Sequence, residues 1–304
     1  MRTSSLIDLA HRALHSRSMR WAHDPLLWAE LFATANLGIL AADICIAHAT
    51  NNFRRWPEYI PLLVSLIAPV VLLTGIWMRW HKNRAKLWMV GGQFVGWLAV
   101  LTGLAGVLWH LESRFFLEHT LRSLTYSAPF AAPLAYTGLG FLLLMNRSIQ
   151  VQTMQWAQWI LFFALGGFFG NFVLSLTDHA GNGFFLKTEW IPVISSAFAA
   201  SFLALPLMVR ISRRFMDVCV VVMLMQALVG ILGFWFHLWA NLMEPGHSFW
   251  DKMVNGAPPL APLLFPNLVA LAWIGIWALI PHLPEGKASE SWLGAVYTWA
   301  NPND

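Results

Sequence analysis

The stretch from His48 to Pro61 reads HATNNFRRWPEYIP, and His179 to Pro192 reads HAGNGFFLKTEWIP. Seven of the fourteen positions agree without a slip: His, Ala, Asn, Phe, Glu, Ile and Pro. Further agreements extend outward in register. Arg79 and Arg210 each follow their histidine by 31 residues. GLAGVLWHL (Gly103 to Leu111) aligns with GILGFWFHL (Gly230 to Leu238), sharing Gly-x-x-Gly-x-x-x-His-Leu. APFAAPL (Ala128 to Leu134) aligns with APPLAPL (Ala257 to Leu263), sharing Ala-Pro-x-x-Ala-Pro-Leu. Self-similarity at a fixed offset is the mark of an internal repeat.

Both copies are embedded in apolar sequence. Hydrophobic residues make up 58 % of the 304 and charged residues 11 %, against roughly a quarter charged in an ordinary soluble domain. Runs of bilayer-crossing length, about 17 to 25 residues, fall near 27–49, 60–79, 87–110, 127–146, 155–178, 190–210, 215–239 and 258–281. Continuous runs of this length are helices and not alternating barrel strands. The expected fold is therefore all-α and integral to a membrane, with eight transmembrane helices in two four-helix halves. The halves would cover 27–150 and 151–282, between an amino-terminal segment 1–26 and a tail 283–304. Four spans per half make the second half enter the bilayer in the same direction as the first, so the duplication is parallel.

Basic residues set the expected orientation. Thirteen Lys and Arg fall on the side of the termini, with Arg147 counted in the fourth loop, and six on the other, so both termini are expected in the cytoplasm. In a bacterium this would be the inner membrane. The net charge of +4 then follows topology and gives no reason to invoke nucleic acid. Leu6, Leu9, Ala10, Ala13 and Leu14 share one helical face opposite Arg12 and His15, which predicts an amphipathic helix on the inner leaflet. Trp292, Leu293, Tyr297 and Trp299 are placed on the same surface. Cys45 and Cys219 sit at opposite ends of their spans, too far apart for a disulfide.

This topology puts His48, His110, His179 and His237 at the extracytoplasmic ends of outward-running spans. Ionisable groups near the membrane are costly and mark sites or pathways. In an up-and-down bundle the first and third helices are diagonal partners, so His48 would face His110, and His179 would face His237. Gly103 and Gly106 share a face with His110, as Gly230 and Gly233 do with His237. A face without side chains suits helix packing or a flat porphyrin. Paired axial imidazoles hold haem b in membrane cytochromes. The alternative is copper, iron or zinc held by His48, His110, His119 and Glu58, and by His179, His237, His247 and Glu189. Glu58, Glu189, Asn51 and Asn182 have helix capping as their other explanation. Asp43, Asn36, Gln93, Asn171 and Gln226 are unrepeated polar residues for a proton or substrate route, or for bonding helix to helix.

Eight helices in two four-helix halves with paired histidines is an architecture shared with haem A synthase. The Glu-x-x-His-Arg pattern of that enzyme is absent here, and likeness of fold does not carry function. Walker and dinucleotide-binding loops are also absent, which removes nucleotide chemistry. The expected role is electron transfer by a haem-binding oxidoreductase in the lipid bilayer. Its partners would be a membrane quinone, an extracytoplasmic electron carrier or a larger respiratory complex. A non-haem metal enzyme or chaperone is one competing reading. A transporter of protons, metal ions or small solutes is another, although transporter sites lie nearer the midplane.

Overall fold

The computed structural model describes residues 23–82, 85–245 and 248–283. The amphipathic helix expected before residue 23 and the aromatic tail expected after residue 283 lie outside them, as does His247. Among the described residues the chain is helical and contains no strand. Seven helices are long and apolar enough to cross a membrane. Helices of this kind satisfy every backbone donor and acceptor internally, which lipid requires.

Helix α1 spans Pro25–Ala49. Asp24 caps it by accepting from the amides of Leu26 and Leu27 at 3.0 and 3.2 Å. A 3-10 turn, Trp56–Glu58, leads into α2, Tyr59–Lys82. Next come α3, Ala85–Glu112, and the short α4, Phe115–Glu118, and α5, Leu121–Thr125. Helix α6 covers Leu134–Ser148. Helix α7, Met154–Gly181, starts on a Thr153 cap, and a 3-10 turn, Lys187–Glu189, leads into α8, Trp190–Met208. Helix α9, Arg213–Met243, starts on a Ser212 cap. The short α10, Phe249–Asn255, a 3-10 turn, Ala261–Leu263, α11, Leu264–Leu279, and a last 3-10 turn, Ile280–His282, follow.

The fourth apolar run departs from expectation. A helix beginning near residue 127 is replaced by turns through Pro133, and α6 has only 15 residues. Pro129 and Pro133 supply no amide hydrogen, and each disfavours helical geometry in the residue before it. Near residue 258 the outcome is the same, with α11 starting at Leu264 after Pro258, Pro259 and Pro262. The Ala-Pro motifs precede their helices and do not open them.

Helices α1, α2, α3 and α6 pack in a ring in which α2 and α6 each touch both α1 and α3. Helices α7, α8, α9 and α11 form a second ring, with α8 and α11 each touching both α7 and α9. Thus α1 stands diagonally from α3, and α7 from α9. The rings meet along α1 with α11 and along α6 with α7. Small residues let the backbones approach: Ala29, Ala33, Ala99, Ala157, Ala164 and Ala272 are fully buried. Large apolar side chains such as Val70, Phe94, Ile194 and Met225 stand exposed on the outer surface, where lipid would meet them.

Arg147 corrects the charge count made from the sequence. It is not a loop residue but lies in the last turn of α6 with its side chain 1 % exposed. Its guanidinium donates to both carboxylate oxygens of Glu30 at 2.7 Å. Glu30 also accepts from Asn146 at 2.8 Å and from the Trp88 indole at 3.2 Å. Asn146 in turn accepts from the Trp156 indole at 3.1 Å. The network joins α1, α3, α6 and α7, and a Cβ on Gly92 would collide with the guanidinium. Its charges cancel inside the fold, so Arg147 carries no topological information.

Candidate histidine site

His48 sits in the last turn of α1, and its carbonyl accepts from the Phe53 amide at 3.1 Å. His179 ends α7 in the same manner, accepting from Phe184 at 3.0 Å. Both segments turn back through left-handed backbone: φ is 57° and 50° at Asn52 and Phe53, and 73° and 51° at Gly183 and Phe184. A bulky residue there is strained by roughly 1–3 kcal/mol and persists only where its surroundings hold it. Here the ring of Phe53 lies 5.7 Å from His48 and 5.0 Å from Tyr59. Phe184 lies 6.2 Å from His179 and stacks on Trp190 at 4.0 Å.

That reversal brings a carboxylate to each imidazole. Oε2 of Glu58 is 3.8 Å from Nδ1 of His48, and Oε2 of Glu189 is 3.8 Å from Nδ1 of His179. At this distance the contact is electrostatic and not a hydrogen bond. Both Oε2 atoms are buried without a hydrogen-bond partner. Glu189 makes no side-chain cap to α8. Asn51 caps no helix start either; its amide donates to Oε1 of Glu58 at 3.1 Å. Asn182 is the residue that closes α7, with its backbone amide bonded to the Ala180 carbonyl.

The diagonal histidines are held by the Ala-Pro turns. Nδ1 of His110 donates to the Pro129 carbonyl at 2.9 Å, and Nδ1 of His237 to the Pro258 carbonyl at 2.8 Å. In a continuing helix each carbonyl would bond the amide four residues on. That residue is Pro133 in one case and Pro262 in the other, and neither has a hydrogen to give. A carbonyl can only accept, so Nδ1 carries a proton, and in the neutral imidazole Nε2 then keeps its lone pair. The imidazoles of His48 and His110 lie 6.3 Å apart between centroids, inclined at 71°. Those of His179 and His237 lie 6.4 Å apart at 80°.

The glycines lie against the proline turns. A Cβ on Gly103 would meet the Thr137 amide at 2.6 Å and the Pro133 carbonyl at 2.8 Å; one on Gly106 would meet Pro133 Cβ at 2.8 Å. Gly230 faces the Pro262 carbonyl at 2.6 Å, and Gly233 faces Pro262 Cβ at 2.9 Å. The space beside these four glycines, on the faces of His110 and His237, is therefore occupied by the proline turns. Their absent side chains let the turns approach closely enough to present their carbonyls.

His119 is exposed, has left-handed backbone and contacts Phe115 at 5.9 Å between centroids. Among the described residues no three or more His, Cys, Asp or Glu come together as a metal-holding group. His119 is thus not gathered with the pair it was expected to join. Of the unrepeated polar residues, Asn36 pairs with Asn267 between α1 and α11, and Gln226 accepts from Ser195 at 2.5 Å. Both are helix-to-helix bonds. Asn171 is buried with its amide nitrogen unpartnered, and Gln93 is exposed. Both cysteines are free.

Two kinds of contact were not foreseen from the sequence. The Pro129 and Pro258 carbonyls were signalled by prolines spaced four apart. Phe53 and Phe184 were signalled by their identity in the repeated stretch. Comparison with known proteins adds nothing to this geometry, since no family model, curated protein or solved structure matches the chain.

Proposed function

We propose that the chain is a haem b protein of two four-helix units, related by parallel duplication, with one bis-histidine centre in each. In this reading α6 and the turn before it make the eighth crossing, both termini are cytoplasmic, and the histidine pairs lie toward the outer face. The shared turn, carboxylate contact, proline carbonyl and imidazole spacing of the two units support the duplication.

One observation carries the cofactor reading: in both pairs every Nδ1 is next to an oxygen, hydrogen-bonded to a proline carbonyl in His110 and His237 and 3.8 Å from a carboxylate in His48 and His179. Metal-bound histidine commonly gives its second nitrogen to a carboxylate or carbonyl, which fixes the ring and the tautomer. Four Nε2 atoms are then left as ligands. The paired imidazoles lie 6.3 and 6.4 Å apart between centroids, so the two rings of each unit are close enough to share one bound group. Two protein ligands suffice when a porphyrin supplies the remaining four, so the donor set fits haem better than a three-histidine metal.

The bound group would supply one-electron transfer. His48, His110, His179 and His237 would hold it, Glu58 and Glu189 would stabilise positive charge, and Phe53 and Phe184 would exclude water. A quinone or an extracytoplasmic carrier is the corresponding partner class. The test is a reduced-minus-oxidised absorption spectrum of the purified protein and of a His110→Ala, His237→Ala double variant. A haem band present in the first and absent from the folded second supports the reading. A colourless protein containing copper or zinc transfers the same imidazoles to a non-haem ion.

A further inference from the structure

Helices α2 and α3 together line an apolar groove of roughly 360 Å³, formed by Val70, Thr74, Gly75, Met78, Val90 and Gly91 among others. Thr74 donates to the Val70 carbonyl at 2.7 Å, so its hydroxyl hydrogen is already used. The two glycines set the depth. A Cβ on Gly75 would reach Trp88 Cα at 3.4 Å, and one on Gly91 would reach Val71 at 3.4 Å. Alanine fits at either position, whereas a longer side chain would fill the groove.

The end of the groove nearest the α2–α3 connection is basic. Arg79 follows Gly75 by four residues on α2, and Lys86 precedes Val90 by four on α3. Residues four apart share a helix face, so each wall of the groove is continued by a cation. Lys86 is exposed, and Arg79 is half-buried with its guanidinium 5.0 Å from the Trp88 ring. Neither is ion-paired with a carboxylate among the described residues. Trp77 and Trp80, both exposed, stand at the same level, where aromatic rings mark the headgroup region.

An apolar groove ending in two cations beside exposed tryptophans has the chemistry of an anionic lipid seat. We infer that this groove binds an anionic phospholipid, with one acyl chain along Gly75 and Gly91 and the phosphate at Arg79 and Lys86. Charge complementarity separates this occupant from a zwitterionic lipid, whose ammonium would face the same cations. The site is independent of the histidine pairs.

The full chain, delipidated in detergent, would be titrated with phosphatidylglycerol or phosphatidylcholine and its retained adducts counted by native mass spectrometry. We expect phosphatidylglycerol to be retained on the order of fivefold or more over phosphatidylcholine. Lys86→Gln should remove most of that preference, and Gly91→Leu should reduce retention of both lipids. Gly138→Leu, at an α6 glycine with nothing within 4 Å of its Cβ position, should change neither. Equal retention of the two lipids by the unaltered protein overturns the inference. So does a Gly138→Leu loss as large as that of Gly91→Leu, or indifference to both groove substitutions in folded protein.

Discussion

The imidazole of His110 donates to the carbonyl of Pro129 at 2.9 Å, although nineteen residues separate them. Pro133 has no hydrogen to give that carbonyl, which accepts from the Ala132 amide at 3.1 Å and keeps its second lone pair for the imidazole. The same relation joins His237 to Pro258 by way of Pro262. Two unremarkable proline motifs thereby become devices for fixing imidazole tautomers.

Restoring the missing hydrogen should therefore weaken the site. In Pro133→Ala the new amide competes for the Pro129 carbonyl and extends α6 toward its expected length. We expect the cofactor of the first unit to bind roughly 10- to 100-fold more weakly, as for loss of other groups that orient a metal ligand. Equilibrium haem titration of the apoprotein checks this.

Glu58→Gln and Glu189→Gln keep the shape of the side chain and remove the charge facing His48 and His179. Each should lower haem affinity in its own unit by on the order of tenfold or more. The reduction potential of that centre should also rise, because an anion near the ring stabilises the oxidised, more positive metal. A redox titration that leaves both centres unmoved would remove the carboxylates from the site.

Packing makes a separate prediction. Gly103→Ala drives a methyl into the Thr137 backbone and the Pro133 carbonyl. Overpacking of this kind costs about 1–3 kcal/mol. Gly138→Ala meets nothing within 4 Å and gains helix propensity of up to about 1 kcal/mol. Thermal melting in detergent should fall for the first and hold or rise for the second.

The Glu30–Arg147 pair gives a prediction through its repeat-related positions. The register that aligns the histidines sets Leu161 opposite Glu30, and the one that aligns the proline turns sets Ile276 opposite Arg147. Arg147→Ile alone leaves a buried carboxylate uncompensated and should destabilise by about 3–5 kcal/mol. Adding Glu30→Leu should recover most of the loss, since an apolar pair of similar volume is often as stable as a buried ion pair. Chemical denaturation of the single and double variants measures the recovery.

These cases show what the sequence could and could not convey. The approach of His48 to His110 was legible because diagonal placement follows from helix order alone. The Glu58 contact was legible as a repeated residue, but its direction was not, since capping and ring contact begin from the same position. Gly103 was ambiguous because an absent side chain says nothing about which neighbour fills the space. The start of α6 was misplaced because apolar content hides the two prolines that break the helix. Arg147 was misplaced because counting basic residues treats each as solvated, and only a partner 117 residues away reveals otherwise.

The most direct measurement is the haem and iron content of the purified full chain, by pyridine haemochrome assay and elemental analysis. We expect two haems b per chain, one for each imidazole pair, falling to one in either His110→Ala or His237→Ala. Folded protein purified after haem-replete expression that contains neither iron nor porphyrin, and takes up no haem when it is added, would contradict the account.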